Sequence, residues 1–457
     1  MISSTTADLA SLNKRLTGRL TLPGDADYDA LRLVLAGDID HHPAAIARPL
    51  STNDVVTVVD FARDTGSELA VRCGGHSGPG YGTVEGGIVL DLRELTELRI
   101  DREARLADAA GGLTAVAVTR AAAEHGLAIG FGDTGSVGIG GITLGGGIGY
   151  LVRKHGLTID SLRSVEIVTA DGQVLEADAD THPDLFWAVR GGGGNFGVVT
   201  RFTFALQPLT EVVGGILVLP VTPEVITGFM DAAANAPDEL STIANVMGCP
   251  PMPFVPEEHH GSLVLFALVC WSGETAAAEA ALAALRSLAE PIADLVRPIP
   301  YPDMFPPEEG DYRPIAVGRT MFLDHVDEPM ARTILEFLEA SDASMKAVQL
   351  RALGGAMARV PVDATAFAHR GAPIMGIVVS FVDEPNARPR REAWARDFAA
   401  AIDQGLPGAY VNFIEDGGPD GAHHAYPGAT WDRLVEIKAR YDPTNLFRRN
   451  QNVQPRP

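Results

Sequence analysis

The fold of this chain of 457 residues is decided by Val71-Arg72-Cys73-Gly74-Gly75-His76-Ser77-Gly78-Pro79-Gly80-Tyr81-Gly82. The apolar run Leu69-Ala70-Val71 leads into it and predicts a short buried strand. Glycines and a proline then end regular structure. Glycine lets backbone N–H groups turn inward and lets a ligand come close, as a phosphate-binding loop requires. The stretch therefore indicates either such a loop, with a nucleophilic imidazole at His76, or an ordinary surface loop that contains a histidine.

The composition of the chain excludes several classes of protein and of binding partner. The chain is 46% hydrophobic and 21% charged, which is usual for a globular protein, and its length suggests two domains. A formal net charge of −23 argues against a nucleic-acid partner or an anionic membrane surface. The three cysteines, Cys73, Cys249 and Cys270, match no zinc or disulfide spacing. With no signal peptide and no long apolar run in the sequence, we expect a cytoplasmic protein.

A second glycine-rich region spans Gly130–Gly149 and interleaves Val, Ile and Leu with the glycines. Flexible linkers alternate glycine with serine, so the buried aliphatic residues favour backbone packed against a flat or charged ligand. Neither region contains the P-loop pattern, and no GxGxxG opens a helix after a first strand. Any dinucleotide would therefore be held by two separate loops.

The predicted elements change in character along the chain. Residues 7–36 are expected to be helical, and a βαβ unit is expected to deliver the first glycine loop. From about residue 210 onward, strands and helices alternate in a manner typical of an α+β domain with a broad sheet. The predicted strands there are Gly215–Val221, Ser262–Trp271, Gln349–Met357 and Pro373–Val382, and the predicted helices lie around 275–289, 329–341 and 391–403.

Polar residues recur at a spacing of two in the C-terminal tail. Tyr410 and Asn412 would share one face of a strand, and Asn450 and Asn452 repeat the pattern. Such a face indicates either a polar ligand in front of it or solvent. The histidine pairs His259-His260 and His423-His424 have no spaced carboxylate partner and are weak metal-site candidates.

Taken together, these segments resemble the flavin oxidoreductases with a vanillyl-alcohol-oxidase/PCMH-type FAD domain. The resemblance is to the berberine-bridge-enzyme-like family, in the bacterial branch near 6-hydroxynicotine oxidase. It covers nearly the whole chain and rests on five segments, Arg72–Ser77, Gly141–Gly149, Asp184–Val199, Tyr410–Asn412 and Tyr441–Asn452.

The resemblance implies an α+β fold in which a two-subdomain PCMH-type FAD-binding domain is joined to a substrate domain with a broad antiparallel sheet backed by helices. The FAD-binding domain would comprise residues 1–209, with its core at about 40–209, and the C-terminal segment 405–457. The substrate domain would comprise residues 210–404.

The resemblance also assigns functional residues. It implies FAD joined through its 8α-methyl group to His76, with Tyr410 and Asn412 as catalytic residues. Thr134 stands where bicovalent relatives have a cysteine, so a second flavin link is not expected, and Cys73 is interpreted as a small packed residue. The cofactor-binding residues expected in full are Arg72, Cys73, Gly74, Gly75, His76, Ser77, Gly132, Thr134, Gly135, Gly138, Gly140, Gly141, Thr143, Gly145, Gly146, Val199, Tyr410, Asn412, Asn450 and Asn452.

The implied function is an oxidase. It would pass a hydride from a substrate C–H beside OH or NH to the flavin, which O2 would reoxidise to give H2O2. A dehydrogenase with another electron acceptor and a non-catalytic flavin-binding protein are the alternatives. The partners expected are a small-molecule substrate and O2, with no metal ion, nucleic acid or membrane, and the chain is expected to be a monomer or homodimer.

Overall fold

The computed structural model describes residues 6–305, 312–415 and 419–456. Its N-terminal part opens with a four-stranded sheet in the strand order β1-β2-β4-β3, in which β2, β4 and β3 run parallel. Its elements are α1 (Thr6–Arg15), β1 (Arg19–Thr21), α2 (Tyr28–Arg32), β2 (Ala45–Arg48), α3 (Thr52–Thr65), β3 (Leu69–Arg72) and β4 (Ile88–Asp91).

The predicted βαβ unit is present. Ser51 caps α3 by accepting the Asp54 N–H, and Gly66 ends the helix in the left-handed conformation. β3 then delivers the chain into the first glycine loop. The two strands of the unit do not touch, because β4 lies between them.

The expectation of a helical start over residues 7–36 was wrong for most of its length. α1 ends at Arg15, and the chain turns at Gly18 to form β1, which pairs with β2. A Cβ on Gly18 would lie 2.1 Å from the Arg48 carbonyl oxygen, so the turn requires glycine. Pro23 and Gly24 follow β1, and helical structure returns only over the five residues of α2 (Tyr28–Arg32).

A second, antiparallel sheet has the strand order β5-β6-β10-β8-β9, and β7 pairs with β11 beside it. Apolar side chains from its strands and from α4 and α7 form one hydrophobic cluster. The elements are β5 (Leu98–Asp101), β6 (Leu106–Ala110), α4 (Ala115–Ala123), β7 (Leu127–Ala128), α5 (Ile139–Leu144), α6 (Val152–His155), β8 (Leu162–Val168), β9 (Val174–Asp178), α7 (Pro183–Val189), β10 (Val198–Ala205) and β11 (Gln207–Pro208).

The middle part is built on an eight-stranded antiparallel sheet in the order β15-β12-β14-β13-β18-β19-β17, with β16 also paired to β12. Four of its strands, β13, β15, β16 and β17, and the helix α8 have no counterpart in the sequence prediction. The elements are β12 (Glu211–Pro220), α8 (Pro223–Asn235), β13 (Leu240–Gly248), β14 (Leu263–Trp271), α9 (Ala278–Arg286), β15 (Ala293–Asp294), β16 (Arg297–Pro300), β17 (Ala316–Leu323), α10 (Glu328–Ala340), β18 (Lys346–Ala352), α11 (Gly355–Arg359), β19 (Ile374–Phe381) and α12 (Arg388–Ile402).

The two faces of this sheet have different neighbours. Alternate residues such as Val348 and Leu350 of β18 join α8, α9, α10 and α12 in the largest hydrophobic cluster. The residues between them, among them Gln349 and Arg351, face the other way, toward the glycine loops. The arrangement confirms the predicted α+β class with a broad antiparallel sheet backed by helices.

The C-terminal part returns to the second sheet through α13 (Pro419–Ala425) and α14 (Ala429–Tyr441). Leu434, Val435 and Ile437 of α14 are buried in the same hydrophobic cluster as α7. No helix among the described residues combines the length and the apolar content that crossing a bilayer requires.

Candidate active site

A cavity of about 460 Å³ lies between the first two sheets. Three glycine-rich loops line it, at residues 72–82, 132–141 and 193–197, and the C-terminal residues 410–413 and 447–451 close it. The sequence places these segments far apart, and the fold brings them to one wall.

The first two loops touch through backbone. A Cβ on Gly74 would lie 2.4 Å from the Gly138 nitrogen, so this approach requires glycine. Cys73 packs at the same point, with Sγ 2.8 Å from the Gly111 carbonyl oxygen. Burial raises the pKa of the Cys73 thiol to about 11, so the thiol stays protonated near neutral pH.

His76 lines the cavity on the first loop. Its Nε2 shares a hydrogen bond of 2.9 Å with the Ser136 hydroxyl, which the second loop supplies. This contact orients the imidazole across the gap between the two loops. Sequence reasoning did not select Ser136, although it lies within the second glycine-rich region.

Tyr410 lines the cavity from a C-terminal segment that is not a strand. The expectation that Tyr410 and Asn412 share a strand face was wrong, because Val411–Phe413 forms a single 3₁₀ turn. The turn nevertheless brings the two side chains together. The Tyr410 hydroxyl accepts hydrogen bonds from Asn412 Nδ2, at 2.9 Å, and from the Gly147 N–H, at 3.0 Å.

Burial and hydrogen bonding have opposite effects on the pKa of Tyr410. Burial raises the pKa of Tyr410 above its usual value, while the hydrogen bonds from Asn412 and Gly147 lower it. Two N–H groups directed at one oxygen are suited to stabilising a phenolate. The ring is held by Phe367 and Phe413, at centroid distances of 6.1 and 5.2 Å.

Most of the predicted site residues meet at the cavity. Those that line it are Arg72, Cys73, Gly74, Gly75, His76, Ser77, Gly132, Thr134, Gly138, Gly140, Gly141, Val199, Tyr410, Asn412 and Asn450.

The other predicted residues lie behind the wall, namely Gly135, Thr143, Gly145, Gly146 and Asn452. Two of them leave room for Asn412 and for the ring that packs on Tyr410. A Cβ on Gly145 would lie 2.1 Å from Asn412 Oδ1, and Gly146, with φ of +128°, packs on Phe367.

Several residues at or against the cavity wall were not predicted as site residues from the sequence. The loop at Gly193, Gly194 and Gly197 was visible as a third glycine run, and Arg449 is adjacent to the predicted Asn450. Asp133 lies in the second loop, where its carboxylate accepts a hydrogen bond of 2.5 Å from Arg351. No local signal marks Arg351, because it comes from β18 of the middle part.

The C-terminal wall is anchored by a buried ion pair. Lys438 Nζ donates to Asp442 at 2.7 Å, to the Asn195 carbonyl at 2.7 Å and to the Phe447 carbonyl at 2.9 Å. Burial lowers the pKa of Lys438 to about 8. Asp442 in turn accepts the N–H groups of Leu446 and Phe447. These bonds tie the tail to the third glycine loop.

The wall leaves space and a polar atom for a ligand. At Gly141 and Gly194, which both line the cavity, an added Cβ would meet no protein atom within 4 Å. Asn450 Oδ1 is buried and has no hydrogen-bond partner among the described residues, so it is available to a ligand donor. In the same described part of the chain, no three His, Cys, Asp or Glu side chains converge as metal ligands.

Two family models match the segments that build this wall. The FAD binding domain matches residues 43–178, and the berberine and berberine-like model matches residues 409–454. The first contains the first two glycine loops, and the second contains Tyr410, Asn412 and the tail.

Relatives match over almost the full length. The chain is 30% identical to (R)-6-hydroxynicotine oxidase of Paenarthrobacter nicotinovorans, over 96% of this chain and 97% of that protein. It is 29% identical to the uncharacterized FAD-linked oxidoreductase YgaK of Bacillus subtilis, over 96% and 98%.

Solved structures also match almost the whole chain. The crystal structure of 6-hydroxy-D-nicotine oxidase from Arthrobacter nicotinovorans matches with a TM-score of 0.86 and 28% identity, over 96% of this chain and 98% of the other. Glucooligosaccharide oxidase from Acremonium strictum, at 22% identity over 99% and 100% of the two chains, shares the fold with a TM-score of 0.87. The chain therefore belongs to the berberine-bridge-enzyme-like family of FAD-linked oxidoreductases, and its cofactor is FAD.

Proposed function

We propose that this protein is an oxidase that removes hydrogen from a substrate C–H bond next to an OH or NH group. The observation that carries the proposal is the Tyr410 hydroxyl in the cavity wall, held by the Asn412 amide and the Gly147 N–H. FAD, when bound, supplies the hydride acceptor at N5 and the reaction with O2 that yields H2O2.

The chain's own contribution is to position groups and to move one proton. Tyr410 Oη takes the proton from the substrate O–H or N–H as the adjacent C–H bond breaks. Two N–H donors already point at that oxygen, so the negative charge on the phenolate is stabilised without reorganisation. Phe413 and Phe367 keep the ring from turning and exclude water around it.

Attachment of FAD through His76 alone is part of the proposal. The 2.9 Å contact with Ser136 supports it, because the contact holds the imidazole at the wall of the cavity. The solved glucooligosaccharide oxidase carries a 6-S-cysteinyl, 8α-N1-histidyl FAD. Here Thr134 occupies the second loop and carries no thiol, so one link is expected. Arg72, Asn450 and the glycines of the three loops would hold the rest of the cofactor.

The division into domains is proposed as well: residues 1–209 and 405–457 for FAD and residues 210–404 for substrate. The hydrophobic clusters support it. One cluster draws only on residues 213–402, and another joins residues 107–206 to 409–453 and takes one residue, Ala366, from the middle part. The three cysteines are unpaired, which supports a reducing, cytoplasmic compartment. We also propose that the protein acts on a small molecule and O2, as a monomer or a homodimer.

The direct test is to reduce the protein anaerobically with a panel of alcohols and amines, admit air, and measure H2O2. We expect at least one compound to bleach the flavin absorbance, and one H2O2 to form for each flavin reoxidised. Bleaching that air does not reverse would assign the chain to the dehydrogenases instead. A panel that never bleaches the flavin would favour a binding protein without turnover.

A further inference from the structure

The face of the broad sheet that points toward Tyr410 carries side chains in rows across the strands. Antiparallel register aligns Ile243, Arg351, Met375 and Phe322 in one row. Arg351 of this row lies against the cavity wall, with its guanidinium 5.4 Å from the Phe413 ring centre. The row therefore borders the Tyr410 end of the cavity.

A second row lies two residues further along the same strands, and register aligns its members as Phe266, Asn245, Gln349, Ile377 and Thr320. Ile377 packs with the same hydrophobic cluster that contains Tyr410. Asn245, Gln349, Ile377 and Thr320 are all partly accessible, unlike the helix-covered face of the sheet. Ile377 therefore links this row to the surroundings of Tyr410.

Hydrogen bonds link the polar groups of the second row into a chain, which runs from Arg351 through Gln349 and Asn245 to the Phe266 carbonyl. Arg351 Nε donates to Gln349 Oε1 at 2.7 Å, Gln349 Nε2 donates to Asn245 Oδ1 at 2.8 Å, and Asn245 Nδ2 donates to the Phe266 carbonyl at 3.1 Å. Both amide oxygens are thus occupied from within the protein. Because an amide nitrogen has two hydrogens, one N–H of each amide is left to donate elsewhere.

The Thr320 hydroxyl adds to this set, because its Oγ1 is buried without a partner among the described residues. The remaining side chains of the second row, Phe266 and Ile377, are apolar. The row therefore offers an apolar surface with a few hydrogen-bond donors.

The two rows hold one charged side chain and no carboxylate. Arg351 is the one charged residue in the two rows, and it pairs with Asp133. At the β17 edge, Glu415 accepts the Gly318 N–H. An ammonium group over the second row would find no carboxylate in the row, and leaving a charge unpaired in such a place is costly. A sugar would leave most of its hydroxyls without partners.

We propose that the substrate is an uncharged, largely apolar ring alcohol that carries an acceptor oxygen, a carbonyl or ether, at the end away from the reacting carbon. Gln349 and Thr320 recognise that oxygen, and Ile377 and Phe413 enclose the ring. The inference rests on the proposed oxidase function and narrows it from alcohols and amines to alcohols.

The test is calorimetric titration of the FAD-loaded protein with four probes: 4-methoxybenzyl alcohol, benzyl alcohol, benzylamine and cellobiose. One additional hydrogen bond should make 4-methoxybenzyl alcohol bind about fivefold more tightly than benzyl alcohol. We expect it to bind at least about tenfold more tightly than benzylamine or cellobiose. Equal or tighter binding of benzylamine or cellobiose, or no binding of either alcohol, overturns the inference.

Gln349→Glu is the variant that should best separate the probes. It keeps an oxygen for Arg351 and replaces the donating N–H with an acceptor. It should weaken 4-methoxybenzyl alcohol binding by about tenfold and strengthen benzylamine binding. The same exchange at Gln173, which is exposed in the turn between β8 and β9, should change neither. Unchanged probe preference in Gln349→Glu contradicts the assignment.

Thr320→Val keeps the side-chain volume and removes only the hydroxyl. It should weaken 4-methoxybenzyl alcohol by a few fold and leave benzyl alcohol unaffected. Equal effects on both probes count against the inference, and this variant serves where Gln349→Glu does not fold. FAD content and H2O2 release are measured separately. Normal release with the wrong probe preference overturns only the substrate class, whereas absent release overturns the oxidase proposal.

Discussion

Replacing Tyr410 with phenylalanine is expected to slow reduction of the bound flavin by a factor of roughly 10² to 10⁴, the usual contribution of a general base. The phenyl ring would keep the packing on Phe367 and Phe413, so flavin content should not change. The measurement is the rate of anaerobic bleaching by a reducing substrate in stopped flow.

The pH dependence should also change. Burial raises the pKa of Tyr410, so near neutral pH most of the protein holds a neutral phenol. The base is the deprotonated form, and the rate in the unmodified protein should therefore rise as pH increases toward that raised value. In Tyr410→Phe this rise should be absent.

Tyr426→Phe is the matched control. Tyr426 is also fully buried, and its hydroxyl has no hydrogen-bond partner within the described part of the chain. Its loss should leave the rate and its pH dependence unchanged. An unaltered reduction rate in Tyr410→Phe would remove this residue from the mechanism.

Replacing Lys438 with methionine is expected to lower the free energy of unfolding by about 3–5 kcal/mol. Lys438 and Asp442 are both fully buried, and removing the cation leaves the Asp442 carboxylate and two carbonyls without their partner. Since the bonds tie the tail to the third glycine loop, the variant should also retain less FAD. Denaturant unfolding and the flavin-to-protein absorbance ratio measure the two effects.

The control for Lys438 is Arg332→Met. Arg332 forms an ion pair with Glu328 at the same spacing of four residues, but both side chains are more than half exposed. Exposed pairs contribute little, so a loss of no more than about 1 kcal/mol is expected. Equal losses in the two variants would show that burial of the Lys438 pair has no special role in the fold.

The glycine loops could be predicted from the sequence because their signal is local. Glycines beside aliphatic residues in Gly130–Gly149 favour a ligand-binding loop, and the glycines around His76 predict either a second such loop or an ordinary surface loop. The pairing of Tyr410 with Asn412 was predicted from a strand geometry that is absent. A 3₁₀ turn brings the two side chains together instead.

The contacts that could not be predicted from the sequence are those that depend on which strands pair. Arg351 reaches Asp133 across 218 positions, and Gln349 reaches Asn245 across 104. The spacing of residues along one strand gives no information on which strand lies beside it. β13 was not recognised as a strand at all, so the row that contains Asn245 and Gln349 could be seen only in the fold.

We propose that His76 carries FAD and that no second residue does. The most direct measurement is acid precipitation of the purified protein, followed by proteolysis and mass spectrometry of the yellow peptide. We expect a yellow pellet, a His76 peptide heavier by the mass of the flavin, and an unmodified peptide around Thr134. Flavin released entirely into the supernatant, or a His76 peptide of unmodified mass, would contradict it.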